Sequence, residues 1–378
     1  MKLTIFGNHP IPQGGFNGVM SLFEALGFSK LGYEVTLAIP FGGKDQYQKL
    51  IEDNSISNLN DLNKFGGKFN IVPIFPDGEN FENCDVLVYQ SYFQKDFELF
   101  WDLCCKKSRF RTKNFPKFVT NPYALRENHI IGQFSQFDLV ACALQEDVDI
   151  LNSDTDFGKQ FKDCYAYVPR GASPDLLHPG FKHGMPPSIG LDTPNGQDIN
   201  AIKHYFEPLA RLKDDFPDLR IFSMGKKINE IDSIAVPFGR FDRIYDDFFN
   251  RVHAYLTINY EFSPTHLAAR VQKDLPSWRH KAIYEVQNIE AQMSGAILVG
   301  HRNNLIAELY DVGRSGFNFH SFENEDEIYK LLKYILNERH TLSRLARDFA
   351  MRNFQWDRAI KKWSDAIQLR MNSYNQKV

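Results

Sequence analysis

One carboxylate stands out among the side chains that could do chemistry. Glu290 is flanked by apolar residues in a segment whose pattern predicts a helix over 283–294, a stop at Gly295 and a buried strand over 296–299. A carboxylate in apolar surroundings is costly unless it is paired or holds a ligand. The alternative is a glutamate on the exposed face of a helix. The first interpretation predicts a side chain that accepts hydrogen bonds from a bound polar molecule.

A glycine-bearing loop follows the first predicted strand. Residues 7–18 place Gly14 and Gly15 directly before a predicted helix. Glycines there let backbone N–H groups approach an anion, and a helix N-terminus favours negative charge. The loop matches neither GxGxxG nor a Walker loop, and the second predicted strand ends at 38–40 without an acidic residue for a ribose hydroxyl, which disfavours a nicotinamide site. The loop is therefore either a phosphate or sugar site or only a tight turn.

Metal and disulfide chemistry have little support in the sequence. The five cysteines form no CxxC pair, and the eleven histidines show no HExxH or comparable ligand spacing. This pattern disfavours a zinc site and a disulfide framework, and it fits a reducing compartment. We expect no metal site.

Composition and charge limit the class of protein. The 378 residues are 43% hydrophobic and 24% charged, which excludes a disordered, collagenous or coiled-coil protein. With 47 acidic and 44 basic residues, the net charge of −3 favours neither nucleic acid nor an anionic membrane, although a local basic run lies at 106–113. No run approaches a membrane span, and we predict no signal peptide. We expect a cytoplasmic protein, with peripheral attachment to the inner membrane face as the alternative.

The elements that must position these residues alternate between strands and helices. Predicted strands lie at 3–6, 35–39, 86–89, 118–119, 139–143, 219–224, 254–259 and 296–299, and predicted helices at 16–31, 202–214, 248–252, 283–294, 325–337, 342–352 and 357–371. Six of the 18 prolines fall within 169–197, which predicts a hinge after residue 168. The alternation predicts an α/β protein with two halves, each a doubly wound parallel sheet. Ligands of such sheets bind at the carboxyl ends of the strands.

Three segments in the second half resemble motifs of GT-B-fold glycosyltransferases, especially the retaining family 4 (glycosyl transferases group 1). Residues 290–299 resemble the family's EA-x-A-x-G-x-P-V-V element. Residues 308–316 resemble its E-L-V-x-D-G-x-x-G turn. Residues 354–356, followed by Trp363, resemble its F-S-W start of the C-terminal helix.

Two further segments extend the resemblance toward the N-terminus. Residues 14–15 with 32–36 resemble the family's G-G … G-H-E-V-T opening, and residues 170–175 with Pro179 resemble its N-G-V-D … F-x-P interdomain element. The five motifs occur in the family's order over nearly the whole chain.

The resemblance implies a fold and an activity. It implies the GT-B architecture: an acceptor-side Rossmann-like domain (1–168) and a nucleotide-sugar-binding one (169–354) facing a cleft, with a C-terminal helix (355–378) returning to the first. It implies transfer of a sugar from a nucleotide-diphosphate sugar, UDP-sugar favoured over GDP-sugar, to a glycan, lipid-linked or other hydroxyl acceptor in glycan biosynthesis. The reaction would be retaining and would need no metal or other cofactor. A nucleic-acid acceptor is disfavoured but left open.

The resemblance also assigns site residues, with departures. The position of the family's first glutamate is Ala282, and residues 188–196 lack the family's basic pair, so the diphosphate would be held by the basic residues of 261–281 or by those after the strand 219–224. The candidate catalytic residues are Arg126 and His129, chosen by their location after the predicted strand at 118–119 and not by a motif match, and Glu261, which lies near the first-glutamate position but out of register. The candidate donor-binding residues are Gly14, Gly15, Lys226, Arg279, Lys281, Glu290 and Arg302.

Three alternatives remain at this stage. The chain also resembles, more faintly, phage glucosyltransferases that act on hydroxymethylated DNA bases. A non-catalytic nucleotide-sugar-binding protein is the second alternative, because two of the family's functional positions are missing. The third is a nucleotide-sugar epimerase with the same two-domain architecture, for which no acid–base pair can be assigned.

Overall fold

The chain forms two compact units. The computed structural model describes residues 1–7, 15–40, 68–74, 84–90, 98, 100, 117–119, 137–145, 148–149, 165–179, 182, 184–191, 199–236, 244–258, 286–302 and 307–375. Unit 1 comprises Met1–Pro169 and Asp357–Val378, and unit 2 comprises Arg170–Trp356. These boundaries lie one and two residues from those predicted after 168 and after 354. No helix among the described residues is long and apolar enough to cross a membrane.

Unit 1 contains a parallel seven-stranded sheet in the order β3-β2-β1-β4-β5-β6-β7. The strands are β1 (Lys2–Gly7), β2 (Glu34–Pro40), β3 (Phe69–Ile74), β4 (Val86–Gln90), β5 (Lys117–Val119), β6 (Leu139–Cys142) and β7 (Tyr165–Tyr167). In the central strands the apolar residues are buried without alternation, as expected for a parallel sheet covered on both faces. Leu3 is in register with both Val35 and Val86.

Helix α1 (Gly15–Lys30) and the C-terminal helix pack together in unit 1. Helix α1 connects β1 to β2, and the chain leaves it through Gly32, whose positive φ of 86° is the left-handed conformation that ends many helices. The other helix is C-terminal, Trp356–Asn375. Its Trp363 ring lies 6.4 Å from that of Phe28, and the Tyr33 hydroxyl lies 2.6 Å from Ser364 Oγ. The C-terminal helix therefore packs against α1 within unit 1.

Unit 2 contains a parallel six-stranded sheet in the order β10-β9-β8-β11-β12-β13. The strands are β8 (Ser188–Leu191), β9 (Arg220–Met224), β10 (Ile234–Val236), β11 (Ala254–Leu256), β12 (Ile297–His301) and β13 (Gly316–Phe319). The α-helices are α2 (Phe206–Asp215), α3 (Val286–Met293), α4 (Glu325–Asn337) and α5 (Arg339–Asn353), and the C-terminal helix is α6. A π-helix covers Tyr245–Phe249, and 3-10 turns cover Ile199–Ala201, Lys203–Tyr205, Asn229–Ile231 and Ala307–Leu309.

The strand order of each sheet reverses at one position. In unit 2 the chain moves from β8 outward to β9 and β10 and then returns to β11 on the other side of β8. In unit 1 the corresponding reversal separates β1 from β4. Ligands of open parallel sheets bind beside such reversals, outside the carboxyl ends of the strands. This end of each sheet is called the carboxyl edge below.

Three predicted elements differ from the observed ones. The helix predicted at 202–214 begins as a 3-10 turn and becomes α-helical only at Phe206, where Pro208 in the first turn has no N–H to satisfy. The helix predicted at 248–252 is the π-helix Tyr245–Phe249. The strand predicted at 254–259 pairs only over Ala254–Leu256.

Candidate functional site

Helix α3 ends on a glycine that no other residue can replace without strain. Gly295 has φ of +80°, and the bonds from its N to Gln292 O (2.8 Å) and from Ala296 N to Ala291 O (2.8 Å) close the helix. A Cβ on Gly295 would lie 2.6 Å from Ser343 Oγ of α5. The glycine therefore provides both the left-handed turn and the close approach of α5.

Two basic side chains donate hydrogen bonds to the C-terminal carbonyl groups of α3. Lys182 Nζ donates to Ser294 O at 2.6 Å, and the Arg347 guanidinium donates to the carbonyl oxygens of Met293 and Leu177. Burial, followed by the charge of Arg347, holds the pKa of Lys182 well below its usual range. Positive groups stabilise the negative end of a helix. These contacts fix the axial position of α3 and hence of its side chains.

Glu290 is buried in the middle of α3. Its side chain is 4% exposed, so the interpretation as an exposed helix-surface glutamate is wrong. Tyr245 OH donates to Glu290 Oε1 at 2.8 Å, and Oε2 is buried without a hydrogen-bond partner among the described residues. Burial raises the pKa of Glu290 to about 7, against the smaller lowering effect of the Tyr245 hydrogen bond. The carboxyl therefore changes charge near neutral pH.

Tyr245 begins the π-helix that precedes β11. The bond from Asn250 N to Tyr245 O (2.8 Å) spans five residues, which is the π-helical pattern. Asn250 is itself buried: its Oδ1 accepts from His178 N (2.9 Å) and its Nδ2 donates to Leu176 O (2.9 Å). Burial, then the charge of Glu290, raises the pKa of Tyr245 well above its usual value. The phenol is thus a neutral donor in a fixed position.

Other buried polar atoms surround α3. Asn288 and Gln292 are at most 1% exposed, and Gln292 Nε2 donates to Leu309 O (2.6 Å) and Asn288 O (3.2 Å). Within the described ranges, three of these buried atoms have no hydrogen-bond partner: Asn288 Oδ1, Gln292 Oε1 and the hydroxyl oxygen of Thr257, which follows β11. Buried polar atoms are normally paired, so this concentration requires a reason such as a ligand or water.

A cluster of aromatic and histidine rings lies at the carboxyl edge of the unit 2 sheet. His301, at the end of β12, stacks on Phe322 with ring centroids 4.4 Å apart, and His204 packs between Phe322 and Tyr205 at 4.5 and 4.0 Å. Burial, with smaller contributions from His301 and Lys203, lowers the pKa of His204 to about 3. His204 is therefore neutral at physiological pH.

The structure describes four of the predicted donor-binding residues, and three of them, Lys226, Arg302 and Gly15, lie at the carboxyl edges. Lys226 is exposed two residues after β9, and Arg302 is exposed directly after β12. Glu290 lies on α3, which leads into β12, and Gly15 is the first residue of α1 in unit 1. The other predicted site residues lie outside the described residues: Gly14, Arg126, His129, Glu261, Arg279 and Lys281.

The sequence reasoning missed Tyr245, the partner of Glu290. The two residues are 45 positions apart, and only the return of the chain from β10 to β11 brings them together. Within the described part of the chain, no three His, Cys, Asp or Glu side chains form a group that could hold a metal ion.

Comparison with known proteins identifies the fold. No protein-family model and no curated protein sequence matches the chain. Among solved structures, sucrose-phosphate synthase from Thermosynechococcus elongatus matches with a TM-score of 0.61 at 10% identity, over 99% of this chain and 100% of that one. Anabaena HepE in complex with UDP and glucose matches with a TM-score of 0.60 at 11% identity, over 97% of this chain and 99% of that one.

A third structure gives the same result. A glycosyltransferase from Rickettsia africae matches with a TM-score of 0.59 at 12% identity, over 98% of each chain. At such identities a likeness establishes the fold and not the activity. The predicted α/β fold is confirmed: the chain has the GT-B architecture of these glycosyltransferases, with two Rossmann-like parallel-sheet domains.

Proposed function

We propose that the chain is a glycosyltransferase that moves a sugar from a nucleotide-diphosphate sugar to a hydroxyl acceptor. The observation that carries the proposal is the buried carboxyl of Glu290, with one oxygen held by Tyr245 and the other without a partner. A carboxylate oxygen accepts hydrogen bonds, and vicinal ribose hydroxyls donate them. HepE, which shares the fold, was solved in complex with UDP-glucose, and this favours a UDP-sugar donor.

The departing nucleotide determines what else the site must supply. Negative charge grows on the leaving diphosphate in the transition state, and preorganised cations and N–H donors stabilise it. Lys226 and Arg302, which are exposed at the carboxyl edge of unit 2, are candidates for this role. Arg279 and Lys281, which lie outside the described residues, are further candidates from the sequence. In this proposal the N–H groups at Gly14 and Gly15 provide further donors.

The remaining assignments are also proposals. Arg126, His129 and Glu261 would act at the reacting sugar and the acceptor, and the reaction would be retaining and independent of metal. The acceptor would be a glycan, a lipid-linked sugar or another hydroxyl compound.

One observation favours a second candidate, a non-catalytic nucleotide-sugar-binding protein. Residue 282, where the resembled family carries its first glutamate, is alanine, and no basic residue lies between 188 and 196. Such a protein would keep the Glu290 contact and bind donor without turning it over.

Calorimetric titration tests the proposal. The ligands are UDP, GDP, CDP, ADP and TDP with and without magnesium, and then UDP-glucose, with released UDP measured by a coupled assay. We expect one nucleotide to bind selectively without magnesium. Glu290→Gln should weaken that binding at least tenfold at pH 8, a loss of about 1.4 kcal/mol or more.

The matched control is Glu338→Gln, which changes an exposed glutamate of the same unit. It should leave binding unchanged. Binding without turnover in the presence of simple sugar and glycoside acceptors would favour the second candidate. Failure of every nucleotide to bind the wild-type protein would refute both functions.

A further inference from the structure

The phenol of Tyr245 contacts one oxygen of Glu290 and leaves the other without a partner. Tyr245 is 2% exposed and Glu290 is 4% exposed, and the O–O distance to Oε1 is 2.8 Å. Oε2 is buried and has no hydrogen-bond partner in the part of the chain that the structure describes. Packing alone does not require this arrangement, because phenylalanine at position 245 would supply the same ring without a hydroxyl.

The backbone holds this phenol in place. A π-turn adds one residue to a helical turn, which rotates the side chains before it relative to those after it, and such turns are frequent at functional sites. Here the five-residue bond from Asn250 N to Tyr245 O closes the π-turn whose first residue carries the phenol. The buried Asn250 side chain ties the turn to Leu176 and His178.

The described charged groups of the π-helix and at the C-terminal end of α3 have other partners. On the π-helix, Asp247 pairs with Arg251 at 3.0 Å, and Asp246 accepts from Arg251 through its carbonyl and lies 3.5 Å from the Asn250 amide. At the end of α3, Lys182 and Arg347 bind main-chain carbonyl groups. Among the described side chains, the phenol of Tyr245 is the one that hydrogen-bonds the Glu290 carboxyl.

We propose that Tyr245 is a positioning residue of the donor site, whose phenol holds Glu290 Oε1 so that Oε2 faces a ribose hydroxyl of the nucleotide. This inference rests on the proposed function, since it assumes that Glu290 binds the donor. The hydrogen bond has two consequences. It restricts the carboxyl to one orientation, and it favours the ionised form, which is the better acceptor.

The test measures the affinity for UDP by calorimetry from pH 5.5 to 9. Tyr245→Phe removes only the hydroxyl. At pH 7 we expect roughly tenfold weaker binding, the size typical for loss of a hydrogen bond to a charged group. We expect its binding to recover in part toward pH 9, so that the midpoint of the pH profile moves upward. Because UDP itself titrates in this range, the UDP affinity of each variant at each pH is expressed relative to that of the wild type at the same pH.

Two further variants make the result specific. Tyr33→Phe removes a buried phenol hydroxyl in unit 1, where it lies 2.6 Å from Ser364 Oγ, and it should leave affinity and profile unchanged. In the Glu290→Gln background, Tyr245→Phe should have little further effect on UDP affinity, because the carboxylate oxygen that Tyr245 orients toward the ribose is replaced by an NH2 group. Should Tyr245→Phe not fold, 2,3-difluorotyrosine at position 245 keeps the shape and donates more strongly. It should move the midpoint downward.

Two outcomes would overturn the inference. In the first outcome, Tyr245→Phe binds UDP with the affinity and pH profile of the wild type, whereas Glu290→Gln binds it more weakly. This result would refute the role of Tyr245 and leave the proposed function standing. Absence of nucleotide binding to the wild-type protein would refute the proposed function, and the inference with it.

Discussion

Replacing Glu290 by glutamine should stabilise the protein at alkaline pH and not at acid pH. Burial raises the pKa of Glu290 from 4.5 to about 7. Between these values the folded state binds more protons than the unfolded state, so stability from this group is fully present below pH 4.5 and is lost as the pH rises through 7. The neutral amide of glutamine still accepts from Tyr245 through its oxygen but does not titrate.

The size of the effect follows from the same interval. At about 1.36 kcal/mol per pH unit, the interval from 4.5 to about 7 corresponds to a loss of about 3 kcal/mol in the free energy of unfolding above pH 7. Relative to the wild type, Glu290→Gln should therefore gain about 3 kcal/mol between pH 4.5 and pH 8. The comparison of two pH values cancels the cost of the glutamine NH2 group, which is the same at both.

Urea unfolding followed by circular dichroism measures this difference. Wild type, Glu290→Gln and the exposed control Glu338→Gln are unfolded at pH 4.5 and pH 8, and the control should follow the wild type. Parallel pH dependence in wild type and Glu290→Gln would refute the reasoning, because it would mean that the buried carboxyl does not titrate as its surroundings dictate. A gain in stability with a loss in UDP affinity would be the expected trade-off at a binding site.

Three other substitutions test separate parts of the fold by urea unfolding. Gly295→Ala places a Cβ where φ is +80° and the space is filled, and it should lower the free energy of unfolding by more than about 2 kcal/mol. Its control Gly313→Ala, at φ +76° in open space, should lower it by only about 1 kcal/mol. His204→Phe should reduce the loss of stability on acidification, because a folded-state pKa of about 3 against 6.5 makes the unfolded state bind more protons in that range. Trp363→Ala should cost about 3–5 kcal/mol, while Leu369→Ala on the same helix, 74% exposed, should change stability by less than about 0.5 kcal/mol.

The central strands could be predicted from local sequence, and the edge strands could not. Strands β1, β2 and β4 are mainly apolar runs with abrupt ends, interrupted only by one threonine in each of β1 and β2, which is the pattern of a strand buried on both faces. The unpredicted β3, β7, β10 and β13 are the four edge strands. Pro73 in β3 illustrates the reason: an edge strand tolerates a residue that donates no ladder hydrogen bond, so its sequence does not read as a strand.

Central strand β8 was also missed, for a different reason. It contains Gly190, which in isolation weakens a strand prediction. In the fold a Cβ at this position would lie 2.8 Å from the Phe248 ring and 2.9 Å from Val252. The glycine is required by packing against a segment some 60 residues away, and no local pattern contains that information.

The candidate site likewise has one residue that local sequence identifies and one that it does not. Glu290 could be found from sequence because its neighbours in the chain predict a buried helix followed by a glycine stop. Its partner Tyr245 could not, because the contact depends on the strand order and on an extra residue in a helical turn. Burial in the folded chain raises the pKa of Glu290 to about 7. The unfolded chain does not have this property, and local sequence does not show it.

That pKa makes binding and proton release inseparable if Glu290 accepts a ribose hydroxyl. At pH 7 the carboxyl is about half protonated, and a hydrogen bond to its ionised form favours loss of the proton. UDP binding should therefore release up to about half a proton from this group. Titration calorimetry at pH 7 in buffers of different ionisation enthalpy measures the number. Subtraction of the value for Glu290→Gln removes the contribution of the UDP phosphate. An equal release by the two proteins would place the nucleotide away from Glu290, even if the nucleotide binds tightly.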